Sequence, residues 1–219
     1  NNHFMHIGTR RIFVKWPVIP SNVNIPFGCL IDLKEYVGIQ RYGSFIWDGI
    51  YKKSFLDEHG IVLNESSGAA FQDMGFAHWI LAVADNVVYI DEPLYQYRND
   101  REGSSTWNKN CLRYPMQEFK RLFEQEVIPK ECFANHRTDI DIYMMQEFKG
   151  EAEKLMRVPG FDLKSDNFAV PYEWFKSRIE KEISSGIVDY RMFDTETATE
   201  LNLLLNTPCS FADLVRARN

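Results

Sequence analysis

Cysteine is scarce and scattered in this chain. Its four cysteines, Cys29, Cys111, Cys132 and Cys209, lie far apart in 219 residues with no C-x-x-C spacing. That argues against a zinc knuckle and against a dense disulfide framework, and predicts reduced thiols. Long apolar runs are missing too. No stretch approaches the roughly 20 residues that cross a bilayer, and residues 1 to 11 hold neither a signal-peptide apolar run nor a small-residue cleavage site, so a soluble chain is expected. Glycine-rich phosphate loops of the G-x-G-x-x-G or G-x-x-x-x-G-K type do not occur, which removes the usual dinucleotide and P-loop readings. Positive charge is in deficit: 25 Lys and Arg face 31 Asp and Glu, a net charge of -6. Without a broad basic stripe to neutralise phosphates, nucleic acid is not an expected partner.

What is present suits a packed globular chain, with 45% hydrophobic and 14% aromatic residues. Charge is uneven: through Lys53 seven basic residues face three acidic ones, leaving 18 against 28 afterwards. An anionic ligand or an anionic lipid surface is better received near this front than elsewhere, while a plain solvated face carrying Arg10, Arg11 and Lys15 is the simpler account. Asn1 opens the chain in the middle of ordinary sequence, which reads as an excised piece.

Patterning assigns the elements. Residues 11 to 15 form a β-branched and aromatic run that ends at Trp16-Pro17, and Pro20, Pro26 and Gly28 punctuate a loop. Trp47, Ile50, Tyr51 and Phe55 recur at helical spacing, predicting a helix over 47 to 58 that ends at His59-Gly60. Phe76, Trp79, Ile80 and Val83 form the apolar stripe of a second helix, with Asp73 just before it. Residues 87 to 90 read as a strand. Residues 94 to 98 alternate, with Tyr95 and Tyr97 on one face, and lead into a polar loop over 99 to 106. A helical region follows over 108 to 219. Its first face runs from Leu112 through Met116, Phe119, Leu122, Phe123 and Val127 to a stop before Pro129, and a second helix covers 140 to 156. A connector at 162 to 167 precedes a helix opened by Pro171, and a last short helix follows Thr207-Pro208.

Three segments carry the functional signal in a fixed order: W-D-G-I-Y-K-K-S-F-L from Trp47, F-Q-D-M-G-F from Phe71, and Y-Q-Y-R-N-D-R-E-G-S-S from Tyr95. Over about residues 40 to 125 they resemble the second half of the catalytic domain of family 2 glycosyltransferases, which move a sugar from a nucleotide donor to an acceptor hydroxyl. The resemblance implies an α/β fold: the acceptor-side half of a GT-A type nucleotide-sugar transferase domain over 1 to 107, followed by a helical appendage over 108 to 219. It implies a nucleotide-sugar donor and a glycan or other hydroxyl acceptor, in surface polysaccharide or related glycan synthesis. It further implies a cytoplasmic location, at the inner face of the membrane if peripheral contact is made; self-association is left open.

In that family the Asp of an E-D or Q-D pair takes the acceptor's proton, which assigns the catalytic base to Asp73 and a substrate contact to Gln72, where many relatives carry Glu. Asp before an amphipathic helix is equally a preferred N-cap, worth about 1 kcal/mol, and the two roles are compatible. Trp47 is a candidate for stacking on a sugar, while Tyr51 and Phe55 suit a buried helix face. Arg98, with Ser104 and Ser105 after Gly103, suits a donor diphosphate or an anionic acceptor, since arginine grips oxyanions with paired bonds; a surface ion pair with Asp100 or Glu102 is the other reading of Arg98. The resemblance also implies a divalent metal, Mn or Mg, held by a D-x-D expected upstream of this chain. Asp139-Ile140-Asp141 has those letters but falls too late and reads as a helix-surface pair; His78 reads as a satisfied or solvent histidine, and no metal site is assigned. By this reading the piece alone is inactive or nearly so. The alternative is a non-catalytic binding or assembly domain on the same scaffold. Convergence of Asp73, Trp47 and Arg98 on one open pocket separates the two.

Overall fold

The computed structural model describes residues 2–7, 10–15, 25–33, 36, 38–41, 46–65, 70–90, 92, 95–97, 108–125 and 127–218. These residues are mostly helical, with seven α-helices and two small sheets. None of the described helices is long and apolar enough to cross a membrane.

β1 (Asn2–Ile7) and β2 (Arg10–Lys15) form an antiparallel pair, and β1 continues into a parallel pairing with β5 (Gln96–Tyr97). β2 answers to the run expected over 11 to 15. β1 carries no alternating pattern and is set by partners elsewhere in the chain. β3 (Leu30–Ile31) and β4 (Val87–Val88) form the second sheet, so the strand expected over 87 to 90 is shorter than its apolar run.

The helix expected over 47 to 58 is divided. A 3₁₀ turn, Ile46–Asp48, is followed by non-helical chain and then by α1 (Lys53–Glu58). The Tyr51 ring folds back over Gly49, where an added Cβ would meet it at 3.0 Å. Ile50 is left fully exposed, so the four apolar positions never shared a face. Tyr51 instead sets its ring edge-on to Phe76 at 5.2 Å, and Phe55 packs separately against the core. The predicted helix end is right: Gly60 has φ 62°, and Ile61 N–H returns to Leu56 C=O at 2.9 Å.

α2 (Gln72–Val83) is buried on all sides from Met74 to Val83 rather than along one stripe. A helix apolar all round belongs in a core. It is enclosed by the Ile46–Asp48 turn, a 3₁₀ turn at Ile39–Arg41, α3 (Arg113–Glu124) and α4 (Lys130–Met156). α4 begins ten residues before its expected start; residues 130 to 138 carry no continuous apolar stripe and, His136 apart, are exposed or half-exposed. At about 1.5 Å per residue it spans about 40 Å and forms the central column. α5 (Asp166–Ser184), α6 (Thr195–Asn206) and α7 (Pro208–Ala217) complete the region. Pro171 does not open α5 but lies inside it, beyond the first turn, which leaves the carbonyl of Asn167 without its helical donor. One continuous apolar core runs from Ile25 to Val215, centred on Phe119, Phe148 and Phe175.

Candidate functional site

The start of α2 is where sequence motif and unusual geometry coincide. Phe71, the cap residue, holds φ 63° and ψ 9°, the one non-glycine among the described residues with positive φ. That conformation costs about 1–2 kcal/mol for a residue with a Cβ. It is retained because the Phe71 ring stacks on Tyr114 of α3 at 6.3 Å and the Phe71 carbonyl accepts from Met74 N–H at 3.2 Å. Gln72 and Asp73 therefore fall inside the first turn. The capping alternative for Asp73 is corrected: Phe71 occupies the cap and no side chain caps the helix. A first-turn carboxylate is still favoured by the helix dipole and the unpaired N–H groups there. Both side chains are half-buried and both have neighbouring partners.

Below Asp73 lies a layer of buried acids. Glu118 of α3 is 1% exposed; its Oε1 accepts from Asn64 Nδ2 at 2.7 Å, while its Oε2 has no hydrogen-bond partner. That Oε2 stands 2.3 Å from where a Cβ would sit on Gly75, so only glycine lets α2 and α3 approach this closely. Burial raises the pKa of Glu118, Asn64 and Arg121 oppose the rise, and the charge of Asp73 adds to it. Tyr143 on α4 is raised by burial first, then by Glu147 and Asp73. Further down, burial pushes Glu147 up to about 7 and also raises Glu151, despite Lys154 at 2.5 Å from Glu151. Cys111 beside them is driven up to about 12, mainly by burial, and is an inert thiol. The described cysteines are all unpaired, as expected.

Trp47, on the 3₁₀ turn packed against α2, stacks on Tyr95 at 5.6 Å with 17° between the rings. Of the residues singled out by motif, Trp47, Gln72 and Asp73 thus sit on adjoining elements. Arg98, Ser104 and Ser105 lie outside the described residues, as does the whole polar loop over 99 to 106.

A cavity of about 510 Å³ opens beside α3, lined by Asn64, Asn110, Arg113, Tyr114, Lys120 and Arg121 among others. It adjoins the start of α2 through Tyr114, which stacks on Phe71, while Asn64 bonds Glu118, the α3 acid that faces Gly75. Motif reading passed over this stretch because it followed only the apolar face of α3. The polar repeat at 113, 117, 120 and 121 was the available signal.

Asp139 and Asp141 are not a surface pair. They are 5% and 0% exposed, and each is held by partners distant in sequence. Asp139 accepts from Arg41 Nε at 2.6 Å and Gly38 N–H at 2.8 Å. Asp141 lies 3.5 Å from Arg178 Nη2 and 3.6 Å from Arg137 Nε. Two positions apart on a helix, they point to different sides and are committed to arginines, so they do not fit the divalent metal that the resemblance implies. Among the described residues no group of three His, Cys, Asp or Glu is arranged to hold a metal. His78 is a satisfied core histidine, 2% exposed, with Nδ1 2.6 Å from Gln40 Oε1.

No family model, curated protein or solved structure matches this chain. Motif order and the geometry around α2 are what bear on its chemistry.

Proposed function

We propose that this chain is the acceptor-side part of a family 2, GT-A type glycosyltransferase domain with Asp73 as general base. The observation that supports this most is the half-buried Q-D pair at the strained start of a helix buried from Met74 to Val83, beside the turn that carries Trp47. In the reaction, the Asp73 carboxylate takes the proton of an acceptor hydroxyl as that oxygen attacks the anomeric carbon of a nucleotide-sugar. The bond from that carbon to the diphosphate breaks, the configuration inverts, and the nucleotide diphosphate leaves. Gln72 orients the acceptor; Arg98, Ser104 and Ser105 belong to the donor side. Mn or Mg, if used, would be held by residues other than those described here. The product belongs to glycan or surface polysaccharide synthesis at the cytoplasmic face of a membrane.

The competing reading, a non-catalytic binding or assembly domain, gains from Trp47, one face of which is already covered by Tyr95. Asp73→Asn in the full-length protein separates them. Transfer to acceptor should fall by about 10³-fold or more with an unchanged circular dichroism spectrum, a loss in the range set by removing a base and its charge together. Turnover retained in that variant would defeat the assignment.

A further inference from the structure

The cavity beside α3 is lined by cations that form no ion pair among the described residues. They are Arg113, Lys120 and Arg121, in a chain of net charge -6. Arg121 is the most telling. It is 9% exposed, yet its guanidinium spends one N–H on the Val62 carbonyl at 2.9 Å and otherwise lies over the Trp79 ring at 5.6 Å. Arg113 gives one N–H to the Asp166 carbonyl at 3.3 Å, and its Nε is buried without a partner. Buried guanidinium groups are ordinarily paired, because an unanswered charge is costly away from water. Glu118 feels the charge of Arg121 but forms no ion pair with it: its Oε1 accepts from Asn64 Nδ2 at 2.7 Å, and burial raises its pKa. Glu124, one turn beyond Lys120 on α3, accepts from Trp174 Nε1 at 3.0 Å.

The rest of the lining narrows the ligand. Asn64, Asn110, Gln117 and Gln125 supply amides, which suit hydroxyl groups. Among the described lining residues the one aromatic is Tyr114, one face of whose ring is already stacked on Phe71, which favours a ligand without a nucleobase. A volume of about 510 Å³ is right for a compact ligand rather than a polymer groove.

We propose that this cavity binds a saccharide bearing an oxyanion, a phosphate or carboxylate gripped by Arg113, Lys120 and Arg121 with its hydroxyls on the amide walls. Taken with the glycosyltransferase reading, on which this one extension rests, the ligand is an anionic acceptor held beside the start of α2. The binding itself does not depend on transfer.

Direct titration by calorimetry at low salt tests it, with glucose 6-phosphate, glucuronate, glucose and inorganic phosphate as probes, and phosphatidylglycerol against phosphatidylcholine vesicles as a separate arm. The expected result is that glucose 6-phosphate binds, glucose does not, and Lys120→Gln weakens binding about tenfold, the ordinary worth of one charge-assisted contact. Arg113→Lys should weaken it similarly by losing the paired geometry; Lys120→Gln leaves the Arg113 contact to Asp166 intact, so a folding defect in one variant does not spoil the other. Three results overturn the proposal: no anion bound at millimolar concentration, phosphate bound as tightly as glucose 6-phosphate, or adsorption to phosphatidylglycerol vesicles without binding of either soluble sugar anion. Binding retained in a full-length protein that transfers no sugar would sink the transferase reading and leave the site standing.

Discussion

Acid should weaken the fold through His78, and Gln at that position should remove the effect. His78 sits on α2 with Nδ1 2.6 Å from Gln40 Oε1, Gln40 Nε2 donates to the His78 carbonyl at 3.2 Å, and the Tyr143 ring meets the imidazole edge-on at 4.7 Å. Burial, aided by His136, lowers its pKa from 6.5 to about 3. Between those values the unfolded chain binds a proton that the folded chain does not. Stability at full strength above pH 6.5 is therefore lost as pH falls, at about 1.4 kcal/mol per pH unit, to a limit of about 5 kcal/mol. His78→Gln keeps a donor for Gln40 but gives up ring packing, a loss of about 2 kcal/mol at pH 7.5. Wild type should lead the variant by that amount at pH 7.5, and the lead should shrink from pH 6.5 and vanish near pH 5. Urea unfolding followed by far-ultraviolet circular dichroism at half-unit steps measures it, and the other titrating acids cancel in the difference. A lead that stays constant from pH 7.5 to 4.5 would refute the reasoning.

Arg178→Met should cost about 3–5 kcal/mol in urea unfolding, because Asp141 and Glu182, 0% and 1% exposed, would then share Arg137 alone. Adding Asp141→Asn should recover part of that loss, and an equal loss in both backgrounds would mean that the pair does not interact. Phe175→Ala should cost about 3–5 kcal/mol by the same assay, since the ring is fully buried against Phe148 at 4.8 Å and Phe119 at 6.2 Å.

Local pattern made the helices legible where burial followed period. α3 and α7 fall close to where their apolar spacing and flanking prolines put them. Pattern failed where a distant partner decided. Trp47, Ile50, Tyr51 and Phe55 look helical, but the Tyr51 ring is set edge-on to Phe76 of α2 and folded over Gly49, which spacing does not reveal. Asp139 and Asp141 look solvated until Arg41 and Arg178, 98 and 37 residues away, arrive to bury them. The same limit divides the candidate site. Motif order named Asp73 and Trp47 and the structure sets them on adjoining elements, whereas the cations of α3 resemble any solvated helix face until Arg121 is seen to be buried.

The proposed base owes its position to helices that the motif does not contain. Ten consecutive residues of α2 are buried, and Phe76, Trp79, Ile80, Leu81 and Val83 together bring on the order of 10 kcal/mol of apolar burial that exists only when α3 and α4 are in place. Two contacts then fix the helix along and about its axis. Glu118 against Gly75 sets how near α2 approaches α3, and Tyr114 against Phe71 holds the left-handed turn that points Gln72 and Asp73 away from the cap. Both contacts come from α3, and Tyr114 is at once a wall of the cationic cavity. Helix α3 therefore carries the anion groups on one side and the register of Asp73 on the other. An oxyanion drawn to Arg113 and Arg121 and a hydroxyl presented to Asp73 would be referred to one rigid element, which is what positioning an acceptor for proton transfer requires.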